Sequence, residues 1–464
     1  MDPNTIKSVY FIGIGGIGMS AIARYFLNCK KIVGGFDKLE TEITKSLIQE
    51  GAHIHYDDNV DSIPDVFKNK ENTLIIYTPA IPSTHSEFTY FNNNGFEIQK
   101  RAQVLGTITR NSKGICVAGT HGKTTTSTLT AHLFDQSHLG CNAFVGGISK
   151  NFNTNFLVNG KSEFTVIEAD EYDRSFHTLS PLMTVITAVD ADHLDIYHDL
   201  PTYIESFEHY TSLIVDNGVM IIHTDLNHVK PRCKPSVKVF TYSTDKGDFH
   251  AENIRKDDKG DTFIDWVGTI DGQEYRIKDI KLGISVPILI ENSVAAIALA
   301  HLNGVTDDEI RAGMLSFKGV QRRFDFQLVN DKYVFLNDYG HHPVEVRECI
   351  KSIREMYKGK KITVAFQPHL FSRTKDSYME FAEYLALADE IILLDIFPAR
   401  EQPMEGVTSH LIFDNIDQKV PKMMCKKDEL VDILRNKEIE VLICLGAGDI
   451  DTLAPSIVEM LNQK

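Results

Sequence analysis

Between Lys113 and Ser127 the chain carries the residue types that phosphate chemistry needs, in the order it needs them. A short apolar run, Ile115 to Ala118, reads as a buried strand. It breaks into Gly119-Thr120-His121-Gly122-Lys123-Thr124, and a helix-compatible segment, Thr125 to Phe134, follows. Glycines at such a turn let backbone N–H groups converge on phosphate oxygens, and the helix N-terminus adds its positive dipole end. Lys123 would reach the β- and γ-phosphates of a nucleotide, and the Thr124 hydroxyl would sit on Mg²⁺. The full G-x-x-x-x-G-K-T form would need glycine where Val117 stands, so an ordinary strand-to-helix turn with a surface lysine shares part of the pattern. The flanking strand and helix favour nucleotide binding.

Two later apolar runs deliver acids. Phe164 to Ile167 leads into Glu168, Asp170 and Glu171, and Leu182 to Val189 leads into Asp190, Asp192, His193 and Asp195. Carboxylates at strand ends beside a phosphate loop are where Mg²⁺ ligands belong. An oxygen-rich set with one imidazole suits Mg²⁺ or Mn²⁺ better than zinc. Thr124, Glu168 and His193 are therefore the expected metal ligands, although acids also cap exposed strand ends with no such role.

A second glycine loop precedes these. Ser8 to Ile12 is a strand, Gly13-Ile14-Gly15-Gly16-Ile17-Gly18 follows, and an apolar helix continues through Leu27; Asp37 ends the next apolar run, Lys31 to Phe36. This is a dinucleotide fingerprint, for which a nicotinamide cofactor and an NAD-dependent oxidoreductase are the first guess. Its physical content is narrower, because the loop cradles a diphosphate, and a UDP-sugar meets the same geometry. Glycines kept only for tight packing are the plainer alternative.

The elements that must position these groups repeat the strand-then-helix pattern. Asn72 to Thr78 is a third strand of an open parallel α/β segment. Turns at 245–247, 258–261 and 271–273 alternate with short β-like runs, which predicts an antiparallel flap of hairpins over 244–285. A helix returns at Asn292 to Leu302. In the last third, Tyr333 to Leu336 leads into Asn337, Asp338, Tyr339 and the pair His341-His342 before Pro343. Lys361 to Phe366 leads into Gln367, His369 and Arg373, and the runs Glu390 to Asp395 and Glu440 to Leu445 follow. Several strand ends thus offer polar groups on one rim. Adjacent side chains point apart, so at most one of the two histidines serves a ligand, and both would also suit a helix N-terminus.

With 464 residues the chain is expected to hold three domains, 1–109, 110–320 and 321–464. Apolar content of 42% supports real cores, and a formal charge of −16 argues against nucleic acid or a membrane surface. Seven cysteines without a Cys-x-x-Cys pair read as reduced thiols. No signal pattern opens the chain and no apolar run reaches membrane-spanning length, so a cytoplasmic protein without membrane insertion is expected.

Taken together, Gly13 to Ser20, Ala118 to Thr126, Glu168 to Glu171, Asp192 to Tyr197, Phe317 to Phe324, Asp338 to Pro343 and Gln367 to His369 resemble the ATP-dependent Mur ligases in order and spacing over nearly the whole chain. The resemblance implies a three-domain α/β architecture: a Rossmann-like N-terminal domain, a central P-loop ATPase domain and a Rossmann-like C-terminal domain that closes over the site. It also implies ATP-dependent amide formation between L-alanine and the lactyl carboxylate of UDP-N-acetylmuramate, by a monomer or homodimer. The alternative within the family adds a preformed peptide to the same sugar nucleotide.

By this likeness Gly13, Gly15, Gly16, Ile17, Gly18 and Asp37 would hold the UDP-sugar. Gly119, Thr120, His121, Gly122, Lys123, Thr124, Thr125, Asn292, Arg323 and Asp338 would hold ATP. Tyr339, His341 and Arg373 would hold the amino-acid or muramoyl end, and Lys123, Glu168 and His193 would be catalytic. There are three departures from the family pattern: Ile288 and Leu289 where His-Asn is common, Asn337 before Asp338, and Leu370 after His369.

Overall fold

The run Ser8–Ile12, buried along its whole length, is the middle strand of a five-stranded sheet in a computed structural model of the chain. The structure describes residues 6–464 except 79, 80, 83, 259 and 400, and except the side chains of 194 and 195. The sheet runs His53–His55, Ile32–Phe36, Ser8–Ile12, Thr73–Tyr77, Glu97–Lys100, all parallel. Its order reverses at Ser8–Ile12, and that reversal opens a crevice beyond the carboxyl ends of the strands. The strand expected at Asn72 is thus fourth in the chain. The short His53–His55 strand before it escapes sequence reading because only Ile54 among its three residues is apolar.

A ten-stranded sheet follows. Its centre is parallel: Met183–Ile186, Lys113–Ala118 and Phe164–Glu168 lie side by side, with Ile115 opposite Met183 and Val117 opposite Glu168. This register brings the ends of the three strands, and so the phosphate-loop candidate and both acidic segments, to one rim. The run expected to extend to Val189 leaves the sheet at Ile186. One flank of the sheet is the predicted hairpin flap, Phe249–Lys256, Thr262–Ile270 and Gln273–Lys281, all antiparallel. The other flank, Asn142–Ser149 paired with Thr154–Leu157, has glycine and asparagine inside it, which hides its alternation. The helix expected from Asn292 begins earlier, at Pro287, and ends at Leu302.

The third sheet has six strands, with Asp325–Val329 antiparallel to Val334–Asp338 and the others parallel. By contacts the chain separates into two compact units. One comprises 1–285 with 289–318 and holds the first two sheets; the other comprises 286–288 with 319–464 and holds the third. Among the described residues no helix is long and apolar enough to cross a membrane.

Candidate functional site

In the first unit, Ala118 ends its strand and the chain turns sharply at Gly119, where φ is +136°. A Cβ at Gly119 would run into Thr187 Oγ1 and come within 2.8 Å of the Ala188 nitrogen. The loop is pinned from both sides. Thr120 N–H donates to the Ala188 carbonyl at 2.9 Å, Asp190 N–H donates to Thr120 Oγ1 at 2.9 Å, and the Thr187 hydroxyl donates to the His121 carbonyl. Gly122, at φ +79°, launches the helix Lys123–Asp135 without a side-chain cap. The N–H groups of its first turn therefore have no intrahelical acceptor and face the rim, as anion binding requires. Asn292 approaches from the helix Pro287–Leu302, its Oδ1 accepting from the Thr126 hydroxyl at 3.2 Å.

Lys123 folds back into this loop. Its ammonium donates to the Gly119 and Thr120 carbonyls and to Glu171 Oε1 at 2.7 Å. Burial works against the lysine charge, but Glu171, Glu168 and Asp170 around it prevail and hold its pKa above the ordinary value. Burial likewise pushes the Glu171 carboxyl up to about 7, with Lys123 pulling against it and Asp170 pushing with it. His193 Nε2 lies 3.8 Å from Glu171 Oε1, and its ring meets Tyr172 edge-on.

Next to the lysine, Thr124 Oγ1 donates to Glu168 Oε1 at 3.0 Å, while Glu168 Oε2 accepts from Gly146 N–H at 2.8 Å. Among the described residues no three His, Cys, Asp or Glu side chains converge into a metal cage. The Thr124–Glu168 pair still fits Mg²⁺, which prefers one or two oxygen ligands from protein and completes its shell with water and substrate phosphates. The buried Glu171 Oε2, without a hydrogen-bond partner among the described residues, adds acceptor capacity to the same rim.

The glycine loop of the first sheet is built differently. Gly13 (φ +90°) and Ile14 donate to the Phe36 carbonyl at 2.8 and 3.0 Å, and Gly15 N–H donates to Asp37 Oδ2 at 2.7 Å. A Cβ at Gly15 would press on Thr44 and Asp37, and one at Gly18 would lie 2.6 Å from Arg101 Nη1. Gly16 precedes the helix Ile17–Asn28, whose first-turn N–H groups open toward the crevice. Asp37 thus occupies one N–H of the loop itself. Arg101 in turn pairs with Asp170 at 3.0 Å and Lys100 with Asp173 at 3.0 Å, which fastens the first sheet's last helix to the acidic segment beside Lys123.

The second unit carries its own polar rim. Asp338, at the end of Val334–Asp338, accepts from Phe324 N–H at 2.6 Å and from Gly340 N–H at 2.7 Å, and burial raises its pKa to about 6. Two guanidinium groups lie against the Tyr339 ring, Arg322 at 4.8 Å and Arg323 at 4.6 Å from its centroid. His341 stacks edge-on between Tyr339 and His369, whereas His342 caps the helix Pro343–Met356. The two histidines thus occupy different places, His341 among the aromatic rings and His342 at the helix N-terminus. Arg373 sits in the first turn of Phe371–Leu385.

The structure therefore brings Gly119 to Thr125, Glu168, His193 and Asn292 to one rim. It holds Gly13 to Gly18 with Asp37 at a second place in the same unit, and keeps Arg323, Asp338, Tyr339, His341 and Arg373 in the other unit. Sequence reading left Glu171 without a role. Its signal was present, three residues beyond Glu168 on the same strand end, but only the fold shows it gripping Lys123.

Three domain families match the chain in succession: "Mur ligase family, catalytic domain" over residues 8–113, "Mur ligase middle domain" over 117–300 and "Mur ligase, glutamate ligase domain" over 322–448. A UDP-N-acetylmuramate–L-alanine ligase of Phocaeicola vulgatus is 58% identical over 464 residues, covering 100% of both chains. A protein of the same name from Parabacteroides distasonis is 53% identical over 99% of this chain and 98% of its own. The crystal structure of a UDP-N-acetylmuramate–alanine ligase from Thermotoga maritima superposes with a TM-score of 0.80 at 26% identity, covering 98% of this chain and 99% of that one.

Proposed function

The chain belongs to the Mur ligase family, and we propose that within it the protein joins L-alanine to the lactyl carboxylate of UDP-N-acetylmuramate, converting ATP to ADP and phosphate in cytoplasmic peptidoglycan precursor synthesis. One observation carries the reading: the Lys123–Thr124 loop, with Glu168 and Glu171 on its rim, belongs to a chain that matches relatives of that name from end to end. The blocks 1–109, 110–320 and 321–464 would serve the UDP-sugar, ATP, and closure over ATP and the amino acid.

A carboxylate and a triphosphate repel, so the chemistry is mostly positioning and screening of negative charge. A carboxylate oxygen of the lactyl group attacks the γ-phosphorus, the bond to the β-phosphate oxygen breaks, and ADP leaves an acyl-phosphate. The amino nitrogen of L-alanine, once it has given up a proton to solvent, bonds to the acyl carbon, the acyl carbon–oxygen bond breaks, and phosphate leaves as the nitrogen loses its second proton. Gly119 to Thr125 wrap the phosphates, Lys123 neutralises them, and Asn292 braces the loop from behind through Thr126. Mg²⁺, with Mn²⁺ as a substitute, would be held by Thr124 and Glu168, with His193 nearby, and supplies further charge neutralisation. Gly13 to Gly18 and Asp37 bind UDP, Arg323 and Asp338 assist the nucleotide, and Tyr339, His341 and Arg373 orient the amino-acid or muramoyl end. A domain closing over the site would keep water from the acyl-phosphate.

The test is ADP release from ATP with UDP-N-acetylmuramate and a panel of nucleophiles. Turnover with free L-alanine but not with a preformed tripeptide is expected. Turnover with the tripeptide alone would move the protein to the peptide-adding branch of the family. NADH bound at the first glycine loop would overturn the UDP assignment.

A further inference from the structure

The ammonium of Lys123 has three N–H donors, and all are engaged: by the Gly119 carbonyl, by the Thr120 carbonyl at 3.3 Å and by Glu171 Oε1 at 2.7 Å. A phosphate oxygen can take hold of this lysine only by displacing one of them. The two carbonyls belong to the loop that wraps the phosphates. The Glu171 carboxylate, in contrast, is the one acidic partner, and its negative charge is what a triphosphate repels. Glu171 is the partner that must give way.

What it leaves behind is unusual. The Glu171 side chain is 2% exposed, and its Oε2 is buried with no hydrogen-bond partner among the described residues. It has no freedom to swing into solvent, because Arg101–Asp170 and Lys100–Asp173 tie down the segment on either side, and the Tyr197 hydroxyl donates to the Glu171 carbonyl. A carboxylate that loses its cation in such a place is strongly destabilising unless another cation replaces it. The reaction supplies one at the right moment, since an amino acid arrives as an ammonium with three N–H donors, the same group that Lys123 presented.

We propose that Glu171 is the carboxylate that receives the amino group of the incoming amino acid, unmasked when the nucleotide draws Lys123 away. This rests on the ligase reading given above. Glu171 thus serves as an exchangeable counter-ion: it holds the lysine in the empty loop and the substrate amine in the loaded one. No proton transfer is assigned to it. Its task is to hold the nitrogen beside the phosphate loop, where the acyl-phosphate forms.

Glu171→Gln keeps the shape and removes the charge. In the full-length protein it should tighten binding of a non-hydrolysable ATP analogue by calorimetry, because the competitor for Lys123 is gone. It should also raise the KM for L-alanine by about tenfold or more. Hydroxylamine, uncharged near neutral pH, should capture the acyl-phosphate in this variant with a far smaller loss than L-alanine suffers, about threefold or less. Glu171→Asp, which restores the charge, should recover much of the L-alanine KM. Weaker analogue binding in Glu171→Gln would mean that Glu171 serves the metal–nucleotide instead, and would overturn the proposal. Equal loss with L-alanine and hydroxylamine, or a misfolded Glu171→Gln whose Glu171→Asp counterpart folds but shows a native L-alanine KM and analogue affinity, would overturn it as well. Native protein that releases no ADP with UDP-N-acetylmuramate and L-alanine would instead sink the ligase reading, while the analogue-binding arm would still report on the lysine exchange.

Discussion

Replacing Lys123 by alanine should damage stability and activity by separable amounts. Two unit charges 2.7 Å apart attract by about 6 kcal/mol at an effective dielectric near 20. Most of that is offset by the cost of taking both groups out of water, so the intact pair stabilises the fold little. Removing one partner is different: Glu171 is left buried without its cation and must stay charged or take up a proton, which costs up to about 3–5 kcal/mol. In Lys123→Ala/Glu171→Gln the stranded charge is gone. The remaining loss is then about 1–2 kcal/mol, from stem packing and the two loop carbonyls that lose a donor. The chain offers a selective probe, since its single tryptophan, Trp266, is fully buried in the same unit as Lys123. Urea unfolding followed by tryptophan fluorescence should show a large loss in the single variant and substantial recovery in the double one. ADP release should fall by about 10²–10³-fold or more in both, with UDP-N-acetylmuramate binding retained. A double variant no more stable than Lys123→Ala, or a single variant that loses less than about 1 kcal/mol, would refute a buried ion pair. Near-native turnover of Lys123→Ala would refute the catalytic assignment.

Gly119→Ala meets Thr187 Oγ1 and the Ala188 nitrogen at a φ of +136°, so it should cost about 1–3 kcal/mol and weaken nucleotide binding while leaving UDP-sugar binding intact, both read by calorimetry. Burial raises Glu87 from 4.5 to about 8 in a cluster with Tyr10, His55, His85 and Asp58. A raised carboxyl gives stability that is complete below its unfolded pKa and lost as pH climbs through the folded one. The native protein should therefore weaken by several kcal/mol from about pH 5 to pH 8.5, and Glu87→Gln should flatten that decline in fluorescence-monitored unfolding. Asp338→Asn turns one of two carboxylate acceptors into a donor facing an N–H, so unfolding of the second unit, followed by circular dichroism, should show a loss of about 1–3 kcal/mol.

The phosphate loop was legible because everything it needs lies within a few residues: a strand, two glycines in left-handed or near-forbidden backbone, a lysine, a hydroxyl and a helix. The same holds for the first glycine loop and for the hairpin flap, whose turns announce themselves by composition. The adjacent histidines were legible as a pair but not in their division, which waited on the helix that His342 caps.

Glu171 and Asn292 lie 48 and 166 residues from the loop residues they contact, and no local pattern connects them. The strand Asn142–Ser149 and the short strand His53–His55 were silent because pairing with neighbours, not their own composition, makes them strands. The residues proposed to bind phosphate were thus written locally, where backbone geometry is decided by the residues themselves. Which buried charge faces which was settled only when parallel strands from distant parts of the chain were brought into register, because burial and charge pairing are properties of neighbours in space.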